Sequence, residues 1–399
     1  MSGDFIWPTE PPIIVDNVMG SDVSLLKEKF GALSQGDDLY SRICIGNSVI
    51  SLEPYRGCTL RCAYCMANND IRGLHDGSTK DSAIIRKPEK IYDSSALLDA
   101  LVCHPAFIED KTVIGFCTGS TEVFLKDVND NVWEAMKHMV SLGLKNPIWL
   151  VVKSFGEYNL DKWVRRFRFL SNHGIRTIIS ITDAGLPSTV EPFQPESRFE
   201  PFKGLSESGV VLSHHLRPIL PGISTYDSLL SALEKSKGIV SSVCVGGLRI
   251  DPGMKLFWKS QEDYEYVPGN QNKELDEGLE KKIRDAVTKM GLPVFLHSSE
   301  MISYHLGIND YNLNKYRTEK DCFLNLGADA ERIENACGGV GIISVLQDIA
   351  RSIGLNVHFN KENGGVITVD TKLEYPELHA LIQAVGHSSI FQEKIENEI

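Results

Sequence analysis

Apolar residues fall into two rhythms along this chain, and the two alternate. Short runs rich in Val, Ile and Leu span Ser48 to Pro54, Lys111 to Cys117, Pro147 to Val152, Thr177 to Thr182, Val210 to Leu216 and Val243 to Ile250. Runs of that length and composition predict buried strands. Between them, Ala96 to Val102, Val132 to Leu142 and Leu160 to Leu170 carry apolar residues three and four apart, the spacing of an amphipathic helix. Strands separated by helices predict parallel βαβ units. Six such units predict an α/β fold, a partial (β/α)6 TIM-like barrel over residues 47–250, with reactive groups at the C-terminal ends of its strands. Residues 1–46 then form an N-terminal extension, and 251–399 a C-terminal extension that folds as a smaller α/β cap over the barrel mouth. In that cap Glu274 to Met290 and Glu377 to Val385 predict helices, Gly365 to Asp370 a strand, and Pro293 to Ser299 a strand or cap edge.

Composition narrows the setting more than the fold. The chain has 399 residues, 42% of them hydrophobic, which is ample for a packed core. The first residues, Met-Ser-Gly-Asp-Phe-Ile-Trp-Pro, lack a basic region followed by an apolar stretch, and no run approaches ~18 consecutive apolar residues. Both point to a cytoplasmic protein without a membrane partner. A net charge of −12 argues against broad capture of nucleic acid, which relies on a basic face. The nine cysteines make an odd count and are mostly scattered, which disfavours a disulfide framework.

The exception to that scatter is Gly-Cys-Thr-Leu-Arg-Cys-Ala-Tyr-Cys, which places Cys58, Cys62 and Cys65 on one short loop directly after the first strand. Three thiolates at such tight spacing suit three irons of a [4Fe–4S] cube and leave the fourth iron for an outside ligand, an arrangement for chemistry rather than electron storage. Structural zinc prefers four ligands in paired knuckles, and no second Cys-x-x-Cys pair exists in the chain. Core thiols or disulfides fit poorly with Gly57 before the triplet and Arg61 inside it.

The triplet resembles the radical S-adenosylmethionine (SAM) superfamily, in which the amine and carboxylate of SAM occupy the open iron. The resemblance narrows toward the spore photoproduct lyase-like branch through further motifs over residues 47–250. These are Glu-Pro-Tyr-Arg-Gly-Cys, the pair Lys153-Ser154 ending the third strand, and Ser180 and Thr182 in the fourth. Glu191-Pro192 through Ser197-Arg198, and Arg217-Pro-Ile-Leu-Pro-Gly222, complete the set. It implies a radical SAM partial barrel, a [4Fe–4S] cluster on the three cysteines, and SAM as cofactor. Tyr64 would lie against adenine, and Lys153, Ser180 and Arg198 would hold the carboxylate or ribose, the guanidinium offering a planar fork. Glu122, in Gly-Ser-Thr-Glu, stands where the superfamily contacts the amine, although the branch carries a Thr-Asp-Pro-Tyr-like run there. Gly246 would admit the adenine closely, or mark a bulge or packing need.

Three readings stay open for Cys322 and Cys337. They are buried thiols, or ligands of a second iron–sulfur cluster with Cys117 and Cys244, or, for Cys337 alone, a catalytic hydrogen-atom donor. His214, His215, His297 and His305 are acid–base groups or satisfied core histidines. Function divides three ways. The first is an enzyme that cleaves SAM reductively and takes a hydrogen atom from a small-molecule or natural-product substrate, fed by an external one-electron reductant such as flavodoxin or ferredoxin. The second is a nucleic-acid lesion repair or modification enzyme, and the third a non-catalytic iron–sulfur protein for electron transfer or binding.

Overall fold

The computed structural model describes residues 42–45, 49–60, 62–65, 87–103, 107, 109–153, 155, 160–195, 197–248, 277–307, 324–325, 341–352, 355–362 and 366–370. In chain order the elements are β1 (Ile43–Ile45), β2 (Ile50–Leu52), β3 (Tyr55–Arg56), β4 (Glu89–Lys90), α1 (Ser94–Val102), β5 (Ile114–Phe116), α2 (Lys126–Ser141), β6 (Ile148–Val152), α3 (Leu160–Asn172) and β7 (Thr177–Thr182). They continue with α4 (Glu200–Lys203), β8 (Val210–Ile219), α5 (Tyr226–Ser236), β9 (Ser242–Gly247), α6 (Glu277–Lys289), β10 (Val294–Phe295), α7 (Ser298–Leu306), β11 (Leu324–Asn325), α8 (Ile342–Ser352), β12 (Phe359–Lys361) and β13 (Val366–Val369).

One eight-stranded sheet organises the molecule, in the order β1-β2-β5-β6-β7-β8-β9-β10. From β2 onward every neighbouring pair is parallel; only β1 runs antiparallel, against β2. The six strands expected from the apolar runs are β2 and β5 to β9. A seventh, β10, adds beside β9, where Val294 pairs with Val243. The expected strand near residue 365 is β13, in a small antiparallel sheet of order β11-β13-β12. The helix expected at Glu377 to Val385 lies outside the described residues.

Parallel sheets bury both faces, and here the two faces differ. Ile50, Leu52, Ile114, Phe116, Ile148, Leu150, Val152, Ile179 and Ile181 pack outward on α1, α2 and α3 around Trp163, Phe124 and Met136. Val243, Val245 and Leu216 do the same with Leu229, Leu233, Ile283 and Val287 of α5 and α6. The alternate residues face inward. Near the N-terminal ends of the strands these are Val49, Val113 and Ile178, buried with Met301, Ile302 and Leu306 of α7, and Trp149, Val211 and Phe295 pack against the same group.

That inner cluster shows that the sheet is curved. A flat sheet would hold β2 and β10 about 29 Å apart, six steps at ~4.8 Å. The nine-residue α7 is only about 13 Å long, yet strands from β2 to β10 close around it. The fold is a partial barrel, plugged at its N-terminal end by α7. Further up the same inner face the residues turn polar: Ser51, Glu53, Lys153, Ser180, Thr182, Ser213, His215 and Arg217. Of these, Glu53, Lys153 and Thr182 stand at the C-terminal ends of their strands.

Candidate active site

The cysteine loop leaves β3 through Gly57, whose φ of +81° is a left-handed turn that a side chain would strain. Cys58 and Cys65 are half-buried and Cys62 is buried. The arc is short and tied down: the Cys65 N–H donates to the Cys62 carbonyl at 3.1 Å, and the Ala63 N–H to the Val190 carbonyl at 2.9 Å. Burial pushes the Cys58 thiol up to about 11, against which the Leu60 and Glu122 N–H groups pull it down. Burial pushes Cys62 up to about 12, with Lys153 opposing and Glu191, Cys65 and Cys58 adding to the rise. Cys62 thus feels both of its neighbours and Cys58 feels Cys65, and a bound metal would supply the positive charge that favours the thiolates. Among the described residues no three His, Cys, Asp or Glu side chains converge on one point as a single metal ion requires. A cubane asks for something else, three thiolates that each take a separate iron. The donor set fits that group.

Two carboxylates shape the wall beside Cys58. Glu53, at the end of β2, is buried and accepts from Ser51 Oγ at 2.7 Å, from the Gly119 N–H at 3.0 Å, from Thr118 Oγ1 at 3.3 Å and from Ser120 Oγ. It thereby folds the loop after β5 onto β2, and Gly115 makes the approach possible: a Cβ there would sit 2.8 Å from Thr118 and 2.9 Å from Val49. That loop delivers Glu122, whose Oε2 accepts the Lys153 N–H at 2.7 Å. Its Oε1 is buried without a hydrogen-bond partner. Burial raises the Glu122 carboxyl to about 7, partly offset by the Lys153 and Phe124 N–H groups. A buried, half-satisfied carboxylate beside Cys58 is a place for a ligand ammonium.

The opposite wall centres on Glu191. Its Oε2 accepts from Lys153 Nζ at 2.8 Å and from the Tyr64 hydroxyl. Its Oε1 lies 2.6 Å from Arg198 Nη2, an ion pair without the alignment of a hydrogen bond. Burial alone would raise the Glu191 carboxyl, but Lys153 and Arg198 outweigh it and hold the group below the usual carboxylate range. Burial also pushes the Tyr64 phenol well above its ordinary value, so it stays a donor. Lys153 completes the group by standing 5.0 Å from the centre of the Tyr64 ring.

The sequence marks Tyr64, Lys153 and Arg198 as candidate ligands and assigns no role to Glu191, Glu53 or Asp183. The candidate residues divide into two sets. Cys58, Cys62, Cys65, Tyr64, Glu122 and Lys153 come together at the barrel mouth. Arg198 lies beside them, yet each guanidinium nitrogen faces a protein oxygen: Nη1 the carbonyls of Thr182 (3.1 Å) and Lys153 (3.3 Å), Nη2 that of Phe193 and the Glu191 carboxylate, Nε the Asp183 carboxylate at 3.6 Å. Its fork is spent on the chain. Ser180 is fully buried lower on the inner face, accepting from Trp149 Nε1 at 2.8 Å and bonded to Ser213 Oγ at 2.9 Å. At Gly246 the space a side chain would fill belongs to Arg217, whose Nε is 2.5 Å from where a Cβ would stand.

Cys117, just after β5, and Cys244, on β9, are buried, with three strands between β5 and β9 in the sheet; Cys322 and Cys337 lie outside the described residues. Of the histidines, His214 points outward, bonding Ser236 Oγ at 2.9 Å and the Asp183 carbonyl at 2.7 Å. His305 reaches Ser242 Oγ at 2.7 Å, His215 lies against Trp149, and His297 caps α7. A polar cavity of about 240 Å³ opens beside Arg198, lined by Asp183, Gln194, Ser228, Ser231 and Lys235 among others. No helix among the described residues is long and apolar enough to cross a membrane.

No protein-family model and no curated protein matches the chain. Among solved structures, a cysteine-to-serine mutant of spore photoproduct lyase is similar at 14% identity over 68% of this chain and 93% of that one, with a TM-score of 0.44. A radical SAM methyltransferase from Sphaerobacter thermophilus is similar at 11% identity over 63% and 67%, TM-score 0.40. Streptococcus suis SuiB, bound to its precursor peptide SuiA, is similar at 12% identity over 71% of this chain and 55% of that one, TM-score 0.37.

Proposed function

We propose that the chain is a radical SAM enzyme acting on a small-molecule or natural-product substrate. The observation that carries the reading is the placement of Cys58, Cys62 and Cys65 on one arc at the C-terminal mouth of a partial barrel, between the half-satisfied Glu122 and the Lys153–Glu191 pair. Cys58, Cys62 and Cys65 would hold a [4Fe–4S] cluster, which with SAM and one electron would supply hydrogen-atom abstraction from the substrate. The chain's own residues supply the setting. Glu122 Oε1, buried without a partner, would accept from the methionyl ammonium. Lys153 gives one N–H to Glu191 and would offer others to the methionyl carboxylate. The tyrosine ring, braced from below by Glu191, stands beside them as a flat apolar wall. The apolar plug of α7 closes the floor to water, and excluding water protects a reactive radical. The electron comes from an external donor such as flavodoxin or ferredoxin. The acidic net charge of −12 supports a small substrate over the nucleic-acid alternative. Anaerobic reconstitution with iron and sulfide, followed by SAM and dithionite, tests the reading. 5′-Deoxyadenosine is the expected product, and its absence from a protein that holds iron and sulfide counts against it.

A further inference from the structure

We infer that Glu191 is the positioning residue of this site, fixing the Cys62–Cys65 arc with one hydrogen bond and aiming Lys153 with another; the second half rests on the proposed SAM reading. The geometry is unusually concentrated. A single oxygen, Oε2, accepts from both Tyr64 and Lys153, while Oε1 pairs with Arg198. Tyr64 sits between two of the three cysteines, so whatever holds its phenol holds the arc. Val190 takes the Ala63 N–H, and the arc is thus stitched to consecutive residues, 190 and 191.

The anchor itself is rigid. The Val190 and Glu191 N–H groups both donate to the Pro187 carbonyl at 2.9 Å, and Gln194 Nε2 donates to the Glu191 carbonyl at 2.7 Å. With its backbone fixed and its side chain 2% exposed, Glu191 has little freedom to swing aside. A carboxylate held this way is a fixed strut rather than a displaceable one. It sets the distance between the cysteine arc and the lysine ammonium from across the barrel, Tyr64 and Glu191 being 127 residues apart in sequence.

Two substitutions separate the two duties. Glu191→Gln keeps an acceptor for the Tyr64 hydroxyl but loses the charge that holds Lys153; Glu191→Ala loses both. In the cofactor-free full-length chain, iodoacetamide alkylation followed residue by residue by mass spectrometry reports the arc. Glu191→Ala and Tyr64→Phe accelerate modification of Cys62 and Cys65 about tenfold or more, as local release of a segment does, while Cys103, Cys117 and Cys244 keep their rates. Glu191→Gln, which keeps the arc tied, leaves Cys65 at the wild-type rate. In the reconstituted protein, Glu191→Gln weakens binding of radiolabelled SAM about tenfold, the scale of one charge-assisted bond. Adding Lys153→Met weakens it no further than Lys153→Met does alone. Wild-type alkylation in folded Glu191→Ala, or equal acceleration at all cysteines, overturns the positioning of the arc. Additive losses in the double variant overturn the aiming of Lys153. A chain that takes up no iron refutes the SAM reading instead, and leaves the alkylation result to decide the arc.

Discussion

Arg198→Met removes a cation that is 4% exposed and faces two carboxylates and three carbonyls. The carbonyls tie the ends of β6 and β7 to the turn at Phe193, so the guanidinium is a clamp across the barrel rim. Methionine fills most of the volume and none of the polarity. Breaking a buried pair by removing one partner costs about 3–5 kcal/mol, because a charge is left uncompensated. Here the lower end applies, since Glu191 keeps Lys153 at 2.8 Å and Asp183 keeps the Gly185 N–H at 3.0 Å. About 3 kcal/mol in a domain of roughly 150–250 residues lowers the melting temperature by about 6–12 °C. The assay is thermal unfolding of the cofactor-free chain, followed by circular dichroism. Lysine at 198 rescues little, because a point charge cannot span five acceptors. A variant melting within about 2 °C of the wild type, and weakened only in SAM binding, would refute the clamp and restore Arg198 as a cofactor ligand.

Ser180→Ala strips the acceptor from the half-buried Trp149 indole N–H; stability should fall by about 1 kcal/mol in urea unfolding, with SAM affinity unchanged. His214 is held near 4, below its ordinary 6.5, by burial, with the Asp183 charge and carbonyl opposing. Its folded value lies below its unfolded one, so the stabilisation is complete above about pH 6.5 and is lost as pH falls toward 4. That amounts to about 2 kcal/mol at pH 5, and His214→Gln should lose correspondingly less on going from pH 7 to pH 5. If Cys322 and Cys337 join a second cluster, the triple variant of Cys58, Cys62 and Cys65 should keep about half of the reconstituted iron; iron at background level in that variant assigns all of it to the triplet.

The barrel was legible because its strands are short apolar runs and its helices keep a helical period. The signal is local, and local signals survive in a sequence. The cysteine arc was legible for the same reason, since three ligands lie within eight residues. The wiring was not. Glu191 meets Lys153 and Tyr64 from 38 and 127 residues away, and nothing in a turn between Pro187 and Pro192 announces that. Glu53 carried a fainter sign: with Val49 and Ser51 it completes the period-two inner face of β2. The role of α7 was missed although its ends were marked. Glu300 accepts from the Leu296 and His297 N–H groups, and Gly307 closes the helix at φ +64°. Nine residues after an apolar pair read more readily as the continuation of a strand. Arg198 was noticed for its chemistry, but only packing shows that its fork is filled.

The central claim is that three thiols on one arc build a cluster that opens SAM. Reconstitute the wild type and Cys62→Ala side by side without oxygen, count iron and sulfide, then add SAM and dithionite and measure 5′-deoxyadenosine. The wild type should hold about four irons per chain and release the nucleoside, while Cys62→Ala should hold little iron and release none. Equal iron and equal 5′-deoxyadenosine in the two proteins, or a wild type that binds zinc in place of a cluster, would contradict the account.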